Sequence, residues 1–191
     1  MPHGSDPFRW IAVVLSILLG LGVTRLLTAL VGLFRARHHA KLDAVPLVWA
    51  GCLFLWQLQF WWAIVELPSL VPTWTIFEFL VLVALALLLF VAGALLLPDS
   101  LGVDESLRAS FERDGRWGLV ALSAYFALAI GANAFVWGAS PWSWTGALNA
   151  ALGVLSLVAA LTRSRRTQVV CATVYVPLSL VAAWVASQHA Y

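Results

Sequence analysis

The chain has 191 residues, of which 62% are apolar and 10% are charged, whereas soluble domains carry about 25% charged residues. This composition excludes water as the main solvent. The net charge of +2 is too small and too dispersed for a nucleic-acid-binding surface. We therefore expect a protein surrounded by membrane lipids, with no nucleic-acid partner.

Six apolar stretches are each long enough to cross the hydrocarbon core, which takes about 20 helical residues. They cover residues 8–34, 45–67, 75–97, 117–139, 142–161 and 168–188. The first stretch lacks a small-residue cleavage pattern, so we interpret it as a retained helix rather than a signal peptide. The sequence predicts an all-α, polytopic membrane protein, with residues 1–191 forming a single transmembrane domain of six helices.

The first predicted helix contains a charged residue, Arg25, within its apolar run. A charge at the centre of a membrane helix costs at least about 2.5–3.5 kcal/mol, so an intramembrane arginine indicates function. Arg25 lies beside a stripe of small residues at every fourth position, and we expect it to face protein rather than lipid. The stripe consists of Ser16, Gly20, Thr24, Thr28 and Gly32.

Small residues also recur along helices four and five. Because lipid gives helices no hydrophobic reason to associate, membrane interfaces rely on small residues that let backbones approach closely. We therefore expect helices one, four and five to pack together at the centre of the bundle. The residues concerned are Ala124, Ala127, Gly131, Ala134 and Gly138 on helix four, and Gly146, Ala150, Gly153 and Ala160 on helix five.

Helix two combines a polar edge with an aromatic face. The polar edge comprises Gln57, Gln59 and Glu66, which are candidates for lining a cavity, although Glu66 also fits an interfacial carboxylate. The aromatic face has helical spacing. We interpret it as a surface for a flat hydrophobic ligand, a lipid or a partner subunit, and it consists of Trp49, Trp56 and Phe60.

Helix three begins with Glu78, which is either a further cavity residue or the glutamate of a capping box with Thr75. In the following loop, residues 98–116, Leu107 and Phe111 lie one turn apart, and Glu112 precedes Arg116 at i, i+4 spacing. This pattern predicts a short amphipathic helix at the inner membrane surface.

Helices four and five each contain one asparagine, Asn133 and Asn149. Either residue could extend a polar chain from Arg25, or could simply form a hydrogen bond between helices.

Basic residues are concentrated in three of the five connections. Because Lys and Arg accumulate on the cytoplasmic side of membrane proteins, these three connections should face the cytoplasm. The prediction is a bacterial inner-membrane protein with both termini on the non-cytoplasmic side. The residues are Arg35, Arg37 and Lys41, then Arg108, Arg113 and Arg116, then Arg163, Arg165 and Arg166.

The sequence lacks the usual signatures of catalysis in or at a membrane. It has no His-Glu-x-x-His zinc motif, no Gly-x-Ser-x-Gly nucleophile motif and no Cys-x-x-Cys pair. Its four histidines lie in predicted tails or loops, so no helix offers a central haem ligand. We expect no enzymatic activity, no metal and no cofactor.

The leading hypothesis is a homo-oligomer with a channel-like or transporter-like polar cavity around Arg25. In this hypothesis Gln57, Gln59, Glu66 and Glu78 line the cavity. Two alternatives remain open at this stage. The protein could be a non-catalytic accessory or assembly subunit of a membrane complex, or it could bind lipid or another hydrophobic ligand.

Overall fold

The computed structural model describes residues 6–70, 74–102, 105–135, 138, 140 and 142–188. Within these ranges the chain forms six long helices, each apolar enough to cross a membrane, which confirms the predicted all-α membrane bundle. The helices are α1 (Asp6–Ala36), α2 (Ala44–Leu70), α3 (Ile76–Leu96), α4 (Leu107–Phe135), α5 (Trp144–Leu161) and α6 (Arg165–Gln188).

Side-chain caps define where several helices begin. At α3, the Glu78 backbone N–H donates to Thr75 Oγ1 at 3.3 Å, and Thr75 N–H donates to Glu78 Oε2 at 2.7 Å. This is the predicted capping box, so Glu78 has a structural role at the first turn of α3. At α5, Ser143 Oγ accepts a hydrogen bond from Gly146 N–H at 3.1 Å.

The predicted amphipathic helix in residues 98–116 does not form a separate surface element. Ser106 Oγ caps the backbone N–H of Ala109, and the chain then runs helically from Leu107 through one π-helical turn, Phe111–Gly115, into α4. Leu107 and Phe111 are both buried in the bundle. The apolar pattern therefore marks the first turns of α4, whose apolar side chains pack into the core of the bundle.

Glu112 forms an i, i+4 pair with Arg108 rather than the expected one with Arg116. Glu112 accepts a hydrogen bond from Arg108 at 2.7 Å. Arg116 instead donates to the carbonyl oxygen of Ala160 at 2.6 Å, at the end of α5. Arg116 thus supplies a donor to a carbonyl oxygen of the last turn of α5, which has no partner within the helix.

Helix α2, rather than α1, occupies the centre of the bundle. α2 packs against α1, α3 and α6, and its Trp56 ring contacts Tyr125 and Phe126 of α4. The outer helices follow one another in the order α1, α3, α4, α5 and α6. The expected close packing is therefore confirmed for α4 with α5, whereas α1 packs mainly against α2 and α3.

Most of the predicted small-residue stripe of α1 faces outward. Ser16, Gly20, Thr24 and Thr28 are exposed, and no atom outside the local helix lies within 4 Å of a Cβ built on Gly20. The close approaches use other glycines. A Cβ on Gly118 of α4 would lie 2.8 Å from the Ala92 carbonyl oxygen of α3, so only glycine fits that crossing.

Three connections meet at one end of the bundle, which we call the basic end. Their described residues are 37–43, 97–102, 105–106 and 162–164. The backbone N–H of Leu107 donates to the Lys41 carbonyl oxygen at 3.1 Å, and Arg165 pairs with Asp43 at 2.7 Å. These contacts join the starts of α2, α4 and α6.

The glycine contact between α3 and α4 gives a stability test. Gly118→Ala forces a methyl group against the α3 backbone, and we expect the free energy of unfolding to fall by about 1–3 kcal/mol. The measurement is unfolding by SDS in mixed micelles, followed by circular dichroism.

Gly131→Ala is the matched control, because Gly131 lies on the same helix with open space around its missing Cβ. We expect this variant to be as stable as the wild type or slightly more stable, since alanine favours helix. Equal losses of stability in the two variants would contradict the close α3–α4 crossing.

Candidate functional site

Arg25 lies against the end of α3. Its Nη2 pairs with Asp99 Oδ1 at 2.8 Å and donates to the carbonyl oxygens of Ala94 at 3.2 Å and Leu97 at 3.4 Å. The Arg25 side chain is 21% exposed and that of Asp99 is 82% exposed. The guanidinium therefore supplies donors and positive charge to the C-terminal carbonyls of α3, where both are favourable.

This geometry differs from the predicted cavity. The partner of Arg25 is Asp99, a loop residue at the basic end, and not a carboxylate of α2 or of the start of α3. A long arginine side chain can extend several ångströms along a helix to reach such a partner. The contacts of Arg25 Nη2 are those of a helix cap, whereas Nη1 is buried without a hydrogen-bond partner among the described residues.

Gln57 lies where α1, α2 and α3 meet. Its side chain is 1% exposed, and Nε2 lies 2.9 Å from the position that a Cβ on Gly22 would occupy and 3.6 Å from that on Gly93. Neither amide atom has a hydrogen-bond partner among the described residues. The two glycines make room for the Gln57 side chain, which fills the contact between three helices.

The remaining predicted cavity residues do not form one site with Arg25. Gln59 is partly buried on α2, and Asn133 and Asn149 are partly buried on α4 and α5, two helices that are not the main neighbours of α1. Glu78 caps α3. Glu66 belongs to α2, but its side chain lies outside the described part of the structure.

The aromatic face of α2 is covered by the chain itself. The Trp49 ring packs against Tyr175 of α6 at a tilt of 50°, with ring centroids 4.5 Å apart, and Trp56 contacts Phe126 of α4 edge-on at 4.8 Å. Phe60 contacts Tyr125 at 6.2 Å, and all three predicted residues are buried. In this structure, other helices of the same chain therefore cover the three side chains that we interpreted as a surface for a ligand, a lipid or a partner subunit.

The same interface contains a row of buried polar side chains that sequence reasoning missed. The members on α6 are Gln168, Tyr175 and Ser179. They share one face of the helix, because positions seven and eleven residues apart point in nearly the same direction at about 100° per residue. We call this row the polar seam, and it consists of Trp49 and Trp56 on α2, Ser156 on α5, and Gln168, Tyr175 and Ser179 on α6.

Most polar atoms of the seam lack a hydrogen-bond partner in the described structure. The unpartnered atoms are both indole Nε1 atoms, Gln168 Oε1, Tyr175 Oη and Ser179 Oγ. Each buried donor or acceptor without a partner lowers the stability of the folded state by about 1–3 kcal/mol. Native proteins contain few such groups. Five of the nine buried side-chain atoms without a partner in the described residues belong to the seam, and the other four belong to Arg25, Gln57 and Arg165.

The seam ends in charged residues at the basic end. Arg165 pairs with Asp43 at 2.7 Å, the Asp43 side chain is 12% exposed, and Asp43 Oδ1 accepts from Val45 N–H at 2.8 Å. From Arg165 to Ser179, α6 rises about 21 Å, roughly two-thirds of a hydrocarbon core of about 30 Å.

Toward the opposite end of α2 and α6, the buried side chains that the structure describes are apolar. They are Phe60, Ile64 and Ala182. The polar seam therefore extends from the basic end to beyond the middle of the bundle. Past Ser179, the described buried side chains between α2 and α6 are apolar.

A sequence signal for the seam exists, although it is weak. Gln168, Tyr175 and Ser179 lie on one face of a membrane helix, and Trp49 and Trp56 are seven residues apart on another. Each of these residues alone is also compatible with simple packing or with an interfacial position. Only the contact between α2 and α6 reveals them as a group.

No protein-family model, no curated protein and no solved structure matches this chain. Its function must therefore be argued from the contacts of its own residues.

The Arg25 contacts predict unequal effects from removing the two partners. Arg25→Gln leaves α3 carbonyls without their donor, and we expect a loss of about 1–3 kcal/mol in unfolding free energy. Asp99→Asn should cost less than about 1 kcal/mol, because an exposed ion pair is screened by solvent.

The measurement is SDS unfolding, with Arg9→Gln as a control because Arg9 is an exposed arginine of the same helix. A loss for Asp99→Asn as large as that for Arg25→Gln would contradict the capping role.

Proposed function

We propose that this chain forms a channel-like or transporter-like path for a small polar solute, and that the path follows the polar seam rather than Arg25. The observation that carries the proposal is the row of buried, unpartnered polar atoms shared by α2 and α6. An accessory role would require only packing, and apolar side chains pack without this cost.

The depth of the seam supports a path rather than a local packing defect. Unpartnered groups occur at successive levels of α6, at Gln168, Tyr175 and Ser179. Polar side chains inside a membrane bundle typically face water-filled or solute-accessible regions. A solute moving along this row would exchange one set of hydrogen bonds for the next.

Both ends of the path are closed in this conformation. The Asp43–Arg165 ion pair lies at the basic end, and apolar side chains fill the opposite end. Passage requires α6 to move relative to α2. Pro177 lies within α6 between Tyr175 and Ser179, and it removes a backbone hydrogen bond at a position where bending is then easier.

Solute flux tests this proposal directly. We expect Tyr175→Phe and Ser179→Ala to reduce flux in proteoliposomes by about tenfold, the ratio that corresponds to one hydrogen bond of about 1.4 kcal/mol. The assay follows water and urea by stopped-flow light scattering, and K⁺ and Cl⁻ by ion-selective electrodes.

Thr173→Val is the matched control, because Thr173 is exposed on the same helix and its hydroxyl donates to the Val169 carbonyl oxygen. We expect its flux to equal that of the wild type. Flux no greater than in empty liposomes for every solute would overturn the proposed function.

We also propose that the protein resides in a bacterial inner membrane with its basic end in the cytoplasm and both termini on the other side. The support is the concentration of arginines in the three connections of that end, because positively charged loops are retained in the cytoplasm.

Cysteine labelling in intact cells tests this orientation. In a background with Cys52→Ala and Cys171→Ala, a membrane-impermeant maleimide should label Ser140→Cys and should not label Ser100→Cys. Both serines are exposed and lie at opposite ends of the bundle. Labelling of Ser100→Cys alone would invert the proposed topology.

The second candidate is an assembly role, favoured by the exposed small-residue face of α1. Ser16, Gly20 and Thr24 leave a shallow surface that continues into a mostly apolar groove. The groove is lined by Phe8, Arg9, Ala12, Val13, Ser16 and Ile17. Small residues at every fourth position allow two helices to approach closely. The occupant we propose is α1 of a second copy, which would make the protein a homo-oligomer.

Self-association can be tested by filling this face. We expect Gly20→Leu to abolish energy transfer between differently labelled copies in liposomes, because the leucine side chain would keep the two helices apart. Gly51→Leu on α2 is the control, since Gly51 is equally open but lies outside the stripe. Unchanged transfer in Gly20→Leu would exclude α1 as the interface.

A further inference from the structure

The charged side chains at the basic end fall into two groups that differ in their partners. In the first group, every carboxylate that the structure describes at this end forms an ion pair. The pairs are Asp43 with Arg165, Asp99 with Arg25, Glu112 with Arg108, and both Glu105 and Asp114 with Arg113. The acidic charge of the described chain at this end is therefore already matched.

The second group consists of basic side chains that have no acidic partner among the described residues. They are all exposed, and they lie in the last turn of α1, in the connection that follows it, and at the start of α6. The ion pair between Asp43 and Arg165 joins the two connections concerned. We call this group the unpaired basic surface, and it consists of Arg35, Arg37, Lys41, Arg163 and Arg166.

The unpaired basic surface lies at the level of the lipid headgroups. Its residues are found at the ends of α1 and α6, two helices that are long and apolar enough to cross a membrane. Arg37 Nη1 donates to the Phe34 carbonyl oxygen at 2.8 Å, and its guanidinium carbon lies 4.0 Å from the centroid of the Phe34 ring. Because the Phe34 side chain is exposed on a membrane helix, these contacts hold the Arg37 charge beside lipid.

On α6, Arg166 stands at the end of an exposed apolar row. Val170 and Val174 follow it at intervals of four residues, which places the three side chains on one face of the helix. Both valines are exposed. An acyl chain can lie along this row while its headgroup contacts Arg166. A free anion would make no contact with the valines, so the combination favours a lipid.

The start of α6 also concentrates positive charge where it is unfavourable. The first turn contains Arg165 and Arg166 and no acidic residue, and Arg163 lies just before it. The helix dipole is positive at this end and repels further positive charge. Asp43 compensates Arg165. A negative group from outside the chain would stabilise the other two arginines.

We propose that the unpaired basic surface binds the anionic headgroups of phospholipids. The headgroup phosphate accepts hydrogen bonds from the basic side chains, and the acyl chains lie against exposed apolar side chains of α1 and α6. The same arginines can set the orientation of the protein during insertion, but that role requires no lipid selectivity in the folded protein. The inference does not depend on the proposed path along the polar seam.

Lipid selectivity of the full-length protein tests this inference. Phosphatidylglycerol, which is anionic, and phosphatidylcholine with the same acyl chains are titrated separately into the protein in non-ionic detergent, and bound lipid is measured by native mass spectrometry. We expect phosphatidylglycerol to bind at least about tenfold more tightly, because each basic side chain near an anionic headgroup strengthens binding about fivefold. Equal affinities for the two lipids would overturn the inference without any variant.

Two double variants with equal changes of charge locate the binding surface. Arg163→Gln/Arg166→Gln removes unpaired charges, and we expect the affinity for phosphatidylglycerol to fall about tenfold or more. Arg108→Gln/Arg113→Gln is the matched control, because both arginines are exposed at the same end but already paired with carboxylates. Its affinity should stay within about threefold of the wild type, since remote exposed charges are screened. Equal losses in the two variants would reveal a general effect of net charge and overturn the assignment.

A competition with inorganic phosphate separates a lipid from a free anion. We expect excess phosphate to leave phosphatidylglycerol bound when it replaces chloride at the same ionic strength, because phosphate lacks the acyl chains that contact α1 and α6. Displacement of the lipid by phosphate would identify a simple anion site and overturn the inference.

Discussion

A hydrogen-bonding group buried within a membrane must find its partner in the protein or in whatever the protein admits, because lipid tails offer none. Much of this structure follows from that constraint. Arg25 and Arg116 extend to the last carbonyls of α3 and α5, and the hydroxyl of Ser156 bonds to its own helix. Among the described residues, the constraint is unmet at Gln57, at one nitrogen of Arg25 and most often along the interface between α2 and α6, which is why the proposed path follows that interface.

Sequence alone predicted the number, class and approximate limits of the helices, because these depend on the lengths of apolar runs. It also predicted the capping box of Glu78, a contact between residues three positions apart. The arrangement of helices was less accessible. Small residues occur on several faces of α1 and α4, and periodicity does not show that Gly118 is buried while Gly20 is exposed.

The candidate site was harder to predict for a related physical reason. The burial of charged and amide residues is costly, and Arg25 offsets part of that cost by reaching Asp99 in a loop with Nη2, while Nη1 stays without a partner among the described residues. Gln57, a predicted cavity residue, is buried, and its neighbours include Gly22 and Gly93. Tyrosine, serine and tryptophan are ordinary components of membrane helices, and their shared environment appears only once α6 is placed beside α2.

The pairing of α2 with α6 also has a consequence for biogenesis. The ion pair between Asp43 and Arg165 joins residues 122 positions apart, so α2 enters the membrane long before its partner has been synthesised. Until then, the polar edges of Trp49 and Trp56 must be shielded by lipid headgroups, by water or by the insertion machinery. The polar seam is consequently the last part of the protein to assemble, and a nascent chain truncated before α6 would expose it to quality control.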